Sequence, residues 1–438
     1  MNFFEYKNAS IPKELSQFLN EATAAEDKKV ENLISDMTAN ILKKGFDALV
    51  QYTKTYDNFD LNENNVRVSK EEIRALSSKI DSKLAASLDI AIARIRDFHD
   101  NQIQKSFSYT DNYNNKMGQN VAPIDSVAVY VPGGRALYPS TMYMTIVPAL
   151  IAGVKRIVVV SPPRTFIESP EVAYLIETLG INEVYRIGGA QAILSLAYGI
   201  DGFIKPVDKI VGPGNIFVAK AKQSVSGKVA IDMIAGPSEI CIIADTDKEE
   251  DIPLIATDIL SQAEHDPLAR PILLSSNKVF IDKIVKKAYE ILQTLPENLR
   301  DSAEKSLNNR GIAVLTDNAD ASVELSNILA PEHLEIFSPD PYRLLKKVTN
   351  AGSVFLGRWT PESVGDYIGG PNHVLPTAGT SRFYSPLGVY DFQKRFSWIE
   401  FNKESLEKYK DNIATIARSE KLESHARSVE VRFENKGV

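Results

Sequence analysis

The stretch that decides the fold is Val127-Ala128-Val129-Tyr130-Val131-Pro132-Gly133-Gly134, an apolar run that ends in a glycine-rich turn. Short apolar runs bounded by Pro and Gly are typical of strands. A helical stretch follows, and then the next β-branched run begins. Strands that alternate with helices in this way indicate a parallel sheet, so we assign the chain to the α/β class.

The same alternation of strand and helix occurs in two series. The first series has predicted strands at 127–131, 157–160, 184–187 and 209–211. The second series begins after Gly236-Pro237 and has predicted strands at 239–244, 272–274, 312–315, 334–337 and 353–356. We therefore expect two Rossmann-like parallel-sheet domains, which suits a chain of 438 residues because single hydrophobic cores rarely grow that large.

The segments outside the two series suggest how the domains are arranged. Helical periodicity runs from about residue 22 to residue 100, with a short strand at 66–68, and these helices must pack on a sheet. We expect residues 127–236 to form a domain inserted into a discontinuous α/β domain, 25–126 plus 237–380. Residues 1–24 are predicted as a helical extension. Residues 381–438, with a charged helical segment at 403–428, are predicted as a dimerisation tail.

Composition narrows the class of function. The net charge of −7 offers no basic field for nucleic acid or anionic lipid. The N-terminus lacks the features of a signal peptide, and the longest near-apolar segment, 143–154, contains Pro148 and predicts a buried helix. The single cysteine, Cys241, excludes an internal disulfide and suits a reducing cytosol. We expect a cytoplasmic protein that acts on a small molecule.

Three glycine-rich turns follow strands of the first series: 132–134, 188–191 and 212–215. Ligands of parallel sheets bind outside the carboxyl ends of the strands, where helix N-termini attract phosphate. The turns therefore predict a nucleotide site, although Phe217 stands where the G-x-G-x-x-G fingerprint requires its last glycine. Ordinary tight turns are the alternative interpretation. We find no candidate chemistry before Ser126.

Candidate ligands and catalytic groups cluster in the second series. Gln262 and His265 lie three apart at the end of an amphipathic helix stopped by Pro267; a capped helix end is the simpler alternative. Glu332-His333 precedes a predicted strand and is a plausible acid-base pair. If the strand began at Glu332, however, the two side chains would point to opposite faces. We expect His99 on the surface.

Other polar residues extend this set of candidates. Asp366 and His373 lie in a turn-rich segment, and Glu420 and His425 lie in the C-terminal helical stretch. Gln262, His265, Asp366 and His425 would make a nitrogen and oxygen ligand set suited to zinc. Nothing in their spacing shows that the four residues meet in space.

Seven segments, in this order, make the chain resemble histidinol dehydrogenases from end to end. The segments are 130–134 (YVPGG), 188–192 (GGAQA), 207–215 (VDKIVGPGN), 235–239 (AGPSE), 261–265 (SQAEH), 330–334 (APEHL) and 365–376 (GDYIGGPNHVLP). The resemblance implies a four-electron oxidation of L-histidinol through L-histidinal to L-histidine, the last step of histidine biosynthesis. It also implies NAD, one zinc ion per subunit, and a homodimer in which the C-terminal tail is swapped.

Roles carry over to positions of this sequence only through that resemblance. It implies that Gln262, His265, Asp366 and His425 bind zinc, and that Glu332 and His333 are catalytic. It implies NAD contacts from Tyr130, Gln191 and Asn215. The residues implied to contact substrate are Ser238, Gln262, His265, His333, Asp366, His373, Glu420 and His425.

Three alternatives to this function stay open at the level of sequence. A related zinc-dependent dehydrogenase would oxidise another small amino or sulfonated alcohol with the same residues. A zinc hydrolase would use Glu332 and His333 to activate water and would not depend on NAD. A non-catalytic nucleotide-binding protein would leave the Glu332-His333 pair without a purpose.

Overall fold

The computed structural model describes residues 1–20, 24–133, 139–234 and 236–434. Gly134 and Ala235, which belong to two of the quoted motifs, lie outside the described residues. The chain divides into two compact units. Unit one comprises Met1–Gln102 and Ile124–Phe392, and unit two comprises Ile103–Pro123 and Gln393–Val438.

The described residues contain three sheets. Their strands, in chain order, are β1 (Asn2–Tyr6), β2 (Phe107–Thr110), β3 (Lys116–Pro123), β4 (Ser126–Tyr130), β5 (Arg156–Val160), β6 (Glu183–Tyr185), β7 (Lys209–Val211), β8 (Ala230–Ile231), β9 (Glu239–Ala244), β10 (Arg270–Ser275), β11 (Ile312–Thr316), β12 (His333–Phe337), β13 (Ser353–Leu356) and β14 (Gln393–Glu400).

Helices connect and cover these strands. In chain order they are α1 (Lys13–Asn20), α2 (Ala24–Lys44), α3 (Phe46–Asp57), α4 (Lys70–Ser77), α5 (Ser82–Asp100), α6 (Pro139–Ala152), α7 (Thr165–Glu168), α8 (Pro170–Thr178), α9 (Gly189–Tyr198), α10 (Ile216–Val225), α11 (Ile252–Ala263), α12 (Lys278–Leu292), α13 (Glu297–Asn309), α14 (Ala319–Leu329), α15 (Pro341–Leu345), α16 (Glu362–Tyr367), α17 (Lys403–Ser419) and α18 (Glu423–Glu430). Short 3-10 helices lie at Glu249–Asp251, Thr380–Arg382 and Val389–Phe392.

The two parallel sheets of unit one have the same topology. The five-stranded sheet has the order β6-β5-β4-β7-β8, which is 3-2-1-4-5 when its strands are numbered along the chain. The six-stranded sheet has the order β1-β11-β10-β9-β12-β13, which is again 3-2-1-4-5 from β9 onward, with β1 added at one edge. This is the doubly wound Rossmann order, and it confirms the α/β class with parallel sheets.

The helices before β4 pack differently from the expectation. Buried side chains of α2 and α3, such as Ile34 and Leu49, share one core with the five-stranded sheet, and Ile73 and Ile95 of α4 and α5 share the core on its other face. The expected grouping of 25–126 with 237–380 is therefore wrong in its packing. The connecting helices α6 and α8 cover one apolar face of the first sheet, α9 and α10 cover the other, and the helices before β4 extend both cores. The boundaries at 236 and 380 stay predictions.

Two further expectations about short segments need correction. Residues 1–24 are not wholly helical, because β1 pairs in parallel with β11, from Asn2 opposite Ile312 to Tyr6 opposite Thr316. The strand expected at 66–68 is a single bridge between Arg67 and Tyr185. By contrast, the expected buried helix at 143–154 is confirmed in α6, where both faces are covered. Within the described ranges, no helix combines the length and apolar composition needed to cross a bilayer.

Unit two consists of one antiparallel sheet and two helices. The sheet has the order β14-β3-β2, and residues 111–115 form the turn of the hairpin between β2 and β3. Asn402 begins α17 by accepting a hydrogen bond from Ser405 N at 2.8 Å. Helices α17 and α18 pack through Ala414, Ala417, Ala426 and Val429.

Candidate active site

A cavity of about 250 Å³ in unit one contains most of the predicted site residues. One wall is built by residues that follow β7 and β8 of the five-stranded sheet, among them Pro213, Gly214 and Asp232. The opposite wall is built at the amino ends of β9 and β12. The first sheet thus follows the rule that ligand sites lie at carboxyl ends of strands, whereas the second sheet departs from it.

His333 is the first residue of β12 and its side chain is buried. Its Nδ1 lies 3.1 Å from the carbonyl oxygen of Glu239. A carbonyl can only accept, so the proton of the neutral ring lies on Nδ1. Nε2 then carries a lone pair; it is buried without a hydrogen-bond partner among the described residues and lies 3.9 Å from Asp366 Oδ1. This nitrogen is available to accept a proton or to bind a metal ion.

Glu332 and His333 lie together in this cavity. Because β12 begins at His333, Glu332 stands just outside the strand and the alternation of faces does not separate the two side chains. The Glu332 carboxylate accepts a hydrogen bond from Glu239 N at 2.9 Å, and its Oε2 lies 3.8 Å from His333 Nδ1. The structure therefore favours the interpretation of these two residues as neighbours.

Gln262 and His265 emerge where α11 ends, and both line the cavity. With its amide nitrogen facing the available acceptors, Gln262 donates to Glu362 Oε1 at 3.0 Å and to Glu239 O at 3.1 Å. The amide oxygen then points away from these acceptors. An oxygen from Gln262 and an imidazole from His265, three residues apart, are thus presented at one helix end.

Glu362 and Asp366 lie four residues apart on α16 and share one face of it. Glu362, Asp366 and His333 each offer one ligand atom, and these three atoms lie within 4.8 Å of one another. That spacing could hold a metal ion. Glu362 Oε2 and His333 Nε2 are buried and have no hydrogen-bond partner within the described ranges. Two unpartnered donor atoms beside a carboxylate fit a divalent cation, because unpaired buried polar atoms are costly.

Burial is the main cause of the pKa shifts of the ionisable groups in the cavity. It raises the pKa of Glu332 and Glu362 well above the usual range, and it raises that of Asp366 to about 6. It lowers the pKa of His333 to about 3 and that of His373 to about 4. The neighbouring carboxylates repel one another and raise the pKa of Glu362 further. The site thus favours neutral histidines and binds protons on its carboxyl groups.

The positions predicted to contact substrate fall into both units. Ser238 and His373 line the cavity, with His373 Nδ1 at 3.7 Å from Asp366 Oδ1. Glu420 and His425 belong to unit two, where Glu420 ends α17 and His425 lies in α18. Three of the four predicted zinc ligands, Gln262, His265 and Asp366, therefore line one cavity, and the place of His425 stays a prediction.

The described residues of the glycine-rich turns, 132–133, 188–191 and 212–215, follow the carboxyl ends of β4, β6 and β7, as predicted. Gly212 has φ +111°, and a Cβ there would stand 2.2 Å from Tyr130 O, so only glycine allows β7 and β4 to approach this closely. The Tyr130 hydroxyl accepts from Gly189 N at 3.1 Å. Asn215 begins α10 by accepting from Phe217 N and Val218 N. These positions suit a nucleotide, and NAD contacts from Tyr130, Gln191 and Asn215 stay predictions.

Sequence reasoning missed several residues of the cavity. Lys222 and Asp232 form a buried ion pair behind the Gly212 turn, where Lys222 Nζ donates to Gly212 O at 3.0 Å and Asp232 accepts from Gly212 N at 2.8 Å. Glu362 was missed too, although its four-residue spacing from Asp366 was a usable signal. The expectation for His99 was wrong: it is buried, and its Nδ1 bonds Ile95 O at 2.9 Å because it lies on the packed face of α5.

Comparison with known proteins gives a consistent result. The family model described as histidinol dehydrogenase matches residues 20–433. The chain is 45% identical over 420 residues to histidinol dehydrogenase of Bacillus subtilis, covering 95% of this chain and 96% of the relative. It is 42% identical over 418 residues to that of Clostridium acetobutylicum, covering 95% of each. The crystal structure of histidinol dehydrogenase from Elizabethkingia anophelis superposes with a TM-score of 0.91 at 32% identity, covering 98% of both chains.

Proposed function

The chain belongs to the histidinol dehydrogenase family, and on that premise we propose that it oxidises L-histidinol through L-histidinal to L-histidine with two molecules of NAD used in turn. The observation that carries the proposal is His333, a neutral imidazole in a cavity with Glu332, Asp366 and His373, whose buried Nε2 has no hydrogen-bond partner in the described part of the chain. A base of this kind is what an alcohol oxidation needs, because the hydroxyl proton must leave as the hydride leaves.

We propose that Gln262, His265, Asp366 and His425 hold one zinc ion per subunit. Bound zinc would hold the imidazole and amino nitrogens of the substrate and so fix the alcohol carbon in place, and NAD would accept the hydride. Asp366 supports a cation here, because its pKa is raised and positive charge would stabilise its ionised carboxylate. Beside it lies the buried Glu362 Oε2, which has no hydrogen-bond partner among the described residues and which the same positive charge would stabilise.

Each catalytic residue has a distinct role in the proposal. His333 Nε2 takes the hydroxyl proton during the first oxidation, while Nδ1 stays fixed on Glu239 O at 3.1 Å. Glu332 then takes a proton from the water that adds to the aldehyde, since only the hydrate has a second hydride to give. Burial raises the pKa of Glu332, and a carboxylate with a raised pKa is a stronger base for that proton.

Substrate selection follows from the polar groups around the cavity. Ser238, His373 and, from unit two, Glu420 are proposed to contact the substrate, and a cavity of about 250 Å³ suits a small amino alcohol. We also propose a homodimer in which residues 381–438 cross to the partner, and a cytoplasmic protein. The buried free thiol of Cys241 supports a reducing compartment.

The test is the number of NADH molecules formed per molecule of L-histidinol consumed, measured before and after metal removal with a chelator. We expect about two NADH per substrate, because each oxidation passes one hydride; activity should vanish with the chelator and return with zinc. If zinc-loaded protein forms no NADH from histidinol, the proposal is wrong. A screen of other small amino and sulfonated alcohols would then identify a relative with a different substrate.

A further inference from the structure

A carboxylate that no motif singled out lies beside the glycine-rich turns. Asp57 is the last residue of α3, and its Oδ2 accepts from Gln191 Nε2 at 3.3 Å. Its charge also contributes to the raised pKa of Tyr130, about 12, so the Asp57 carboxyl is close to that ring. Two residues with predicted NAD contacts therefore share one carboxylate neighbour from the N-terminal helices.

The position of Asp57 in the fold is informative. Tyr130 ends β4, and Gln191 lies in the first turn of α9 after β6. These are the first and third strands of the 3-2-1-4-5 sheet, with β5 between them. In Rossmann folds this half of the sheet binds the adenosine of a dinucleotide, and an acidic residue hydrogen-bonds its ribose.

The position where Rossmann folds usually place that acidic residue, just after the second strand, carries no carboxylate in this sheet. After β5 come Ser161-Pro162-Pro163, and the Ser161 hydroxyl is already engaged with Val131 O at 2.9 Å and Thr165 Oγ1 at 2.8 Å. The next acidic residue, Glu168, pairs with Arg164 on an exposed turn at 2.7 Å. The sheet therefore lacks a carboxylate at the usual place, and Asp57 supplies one from outside the strand-helix series.

Asp57 also has unused hydrogen-bonding capacity. Within the described residues Gln191 is its hydrogen-bond donor, through Oδ2, so Oδ1 can accept from a ligand. The carboxyl group is half-buried, and burial raises its pKa to about 6. No cation among the described residues pairs with this half-buried carboxylate, so it is short of donors, and the vicinal hydroxyls of a ribose would supply two.

Resting on the proposed use of NAD, we propose that Asp57 binds the 2′ and 3′ hydroxyls of the adenosine ribose and selects NAD over NADP. A 2′-phosphate would bring negative charge against the carboxylate and would remove one of the hydroxyl donors. Both effects disfavour NADP, so the specificity of the cofactor site resides in a residue of α3 rather than in the glycine-rich turns.

The test is direct binding of NADH and NADPH, followed by the fluorescence of the reduced nicotinamide, to the wild type and to Asp57→Asn. The asparagine keeps the size of the side chain and an acceptor for Gln191 but removes the charge. We expect the wild type to bind NADH at least about tenfold more tightly than NADPH. Asp57→Asn should weaken NADH binding by about ten- to a hundredfold, which is the effect of losing hydrogen bonds to a charged group.

Asp60→Asn is the matched control, because Asp60 is an exposed carboxylate three residues away that pairs with Lys54 at 2.7 Å. Its NADH and NADPH binding should equal that of the wild type. Unchanged NADH binding in Asp57→Asn would overturn the inference, as would an equal loss for NADH and NADPH, which would mean that Asp57 only supports Gln191. If the wild type neither binds NADH nor reduces NAD with histidinol, the proposed function fails first.

Discussion

At the scale of single residues, the two nitrogens of His333 have different environments. Nδ1 faces Glu239 O and two carboxylates, with Glu362 Oε1 at 3.4 Å, whereas Nε2 has no hydrogen-bond partner among the described residues. The geometry thus fixes the tautomer and leaves one nitrogen for chemistry. Nε2 can act as a general base or as a metal ligand with Glu362 and Asp366, and the two roles have different consequences when the imidazole is removed.

We predict that His333→Asn keeps its zinc and loses turnover by about a hundredfold to ten-thousandfold, the usual cost of removing a general base. The measurements are kcat with NAD and the zinc content of the purified variant. A variant that lost zinc as well as turnover would contradict the assignment and would make His333, Glu362 and Asp366 the metal ligands.

His265→Asn should give the opposite result, because His265 is a proposed zinc ligand at the end of α11 and not the base. We expect the variant to contain far less zinc than the wild type after dialysis, and to regain activity only at raised zinc concentration. Glu264→Gln is the matched control, since it changes the neighbouring residue of the same helix end. Full zinc retention by His265→Asn would remove it from the ligand set.

At the scale of secondary-structure elements, α11, β12 and α16 bring carboxyl groups together without neutralising them. Glu335, two residues after His333 on β12, accepts from Glu362 N at 2.7 Å and is buried. Burial and the charge of Asp258 on α11 raise its pKa well above the usual range. Burial also raises the pKa of Asp258 to about 6. Ionisation of these buried carboxyl groups therefore destabilises the folded protein, and the size of that effect depends on pH.

The sign of that cost follows from proton binding. Because the pKa of Glu335 is higher in the folded than in the unfolded protein, the folded state binds more protons, and stability falls as pH rises above about 4.5. Glutamine mimics the protonated form and keeps the acceptor for Glu362 N. We predict that metal-free Glu335→Gln matches the wild type near pH 4 and is more stable at pH 8.

Urea unfolding of the metal-free proteins at both pH values measures this difference, and each pKa unit corresponds to about 1.4 kcal/mol. Glu324→Gln, an exposed change on α14, is the control and should not alter the pH dependence. A Glu335→Gln variant that is less stable than the wild type at pH 8 would contradict the prediction and would indicate that the carboxylate is needed ionised.

The ion pair behind the Gly212 turn gives a second prediction at this scale. Lys222 and Asp232 are both almost fully buried and hold the two sides of Gly212. Lys222→Met should destabilise the protein by about 3–5 kcal/mol, since it leaves a buried charge unpaired. Lys222→Met with Asp232→Asn should recover part of that loss in urea unfolding. An additive double variant would show that the pair is not coupled.

The sequence predicted these elements unevenly, for physical reasons. The strands of both parallel sheets were predictable because they are continuous apolar runs, and β7, β9 and β13 begin and end as predicted. The two-residue strand β8 is too short to carry a pattern, and β1 pairs with a strand about 310 residues away, which no local signal reports. Asp57 was missed because its contact with Gln191 spans 134 positions of the chain.

At the scale of the whole molecule, two sheets of the same strand order contribute opposite ends to the site. The first contributes carboxyl ends at β7 and β8, and the second contributes amino ends at β9 and β12. The rule that ligands bind at the carboxyl ends of parallel strands predicts only the part of the site that lies at β7 and β8. The second half depends on the residues that begin β12 and end α11, and these were found through chemistry and resemblance rather than through topology.

The proposed swap of residues 381–438 makes a prediction about mixed dimers. If His425 serves the partner's site, a dimer of one His333→Asn subunit and one His425→Asn subunit has both defects in one site and an intact second site. Co-expression in equal amounts gives mixed dimers in about half of the population, so about a quarter of wild-type activity should return from two inactive parents.

Activity of the purified mixture, compared with each parent and with the wild type at equal zinc, measures this recovery. The control is a mixture of His333→Asn and Glu332→Gln, because both residues lie in unit one and line the same cavity. Mixed dimers of this pair regain activity only if the two residues act in different sites. Recovery by the first pair and not by the control would support the swapped tail. If neither pair recovers while mixed dimers are present, His425 serves the site of its own subunit, since each site then carries one defect.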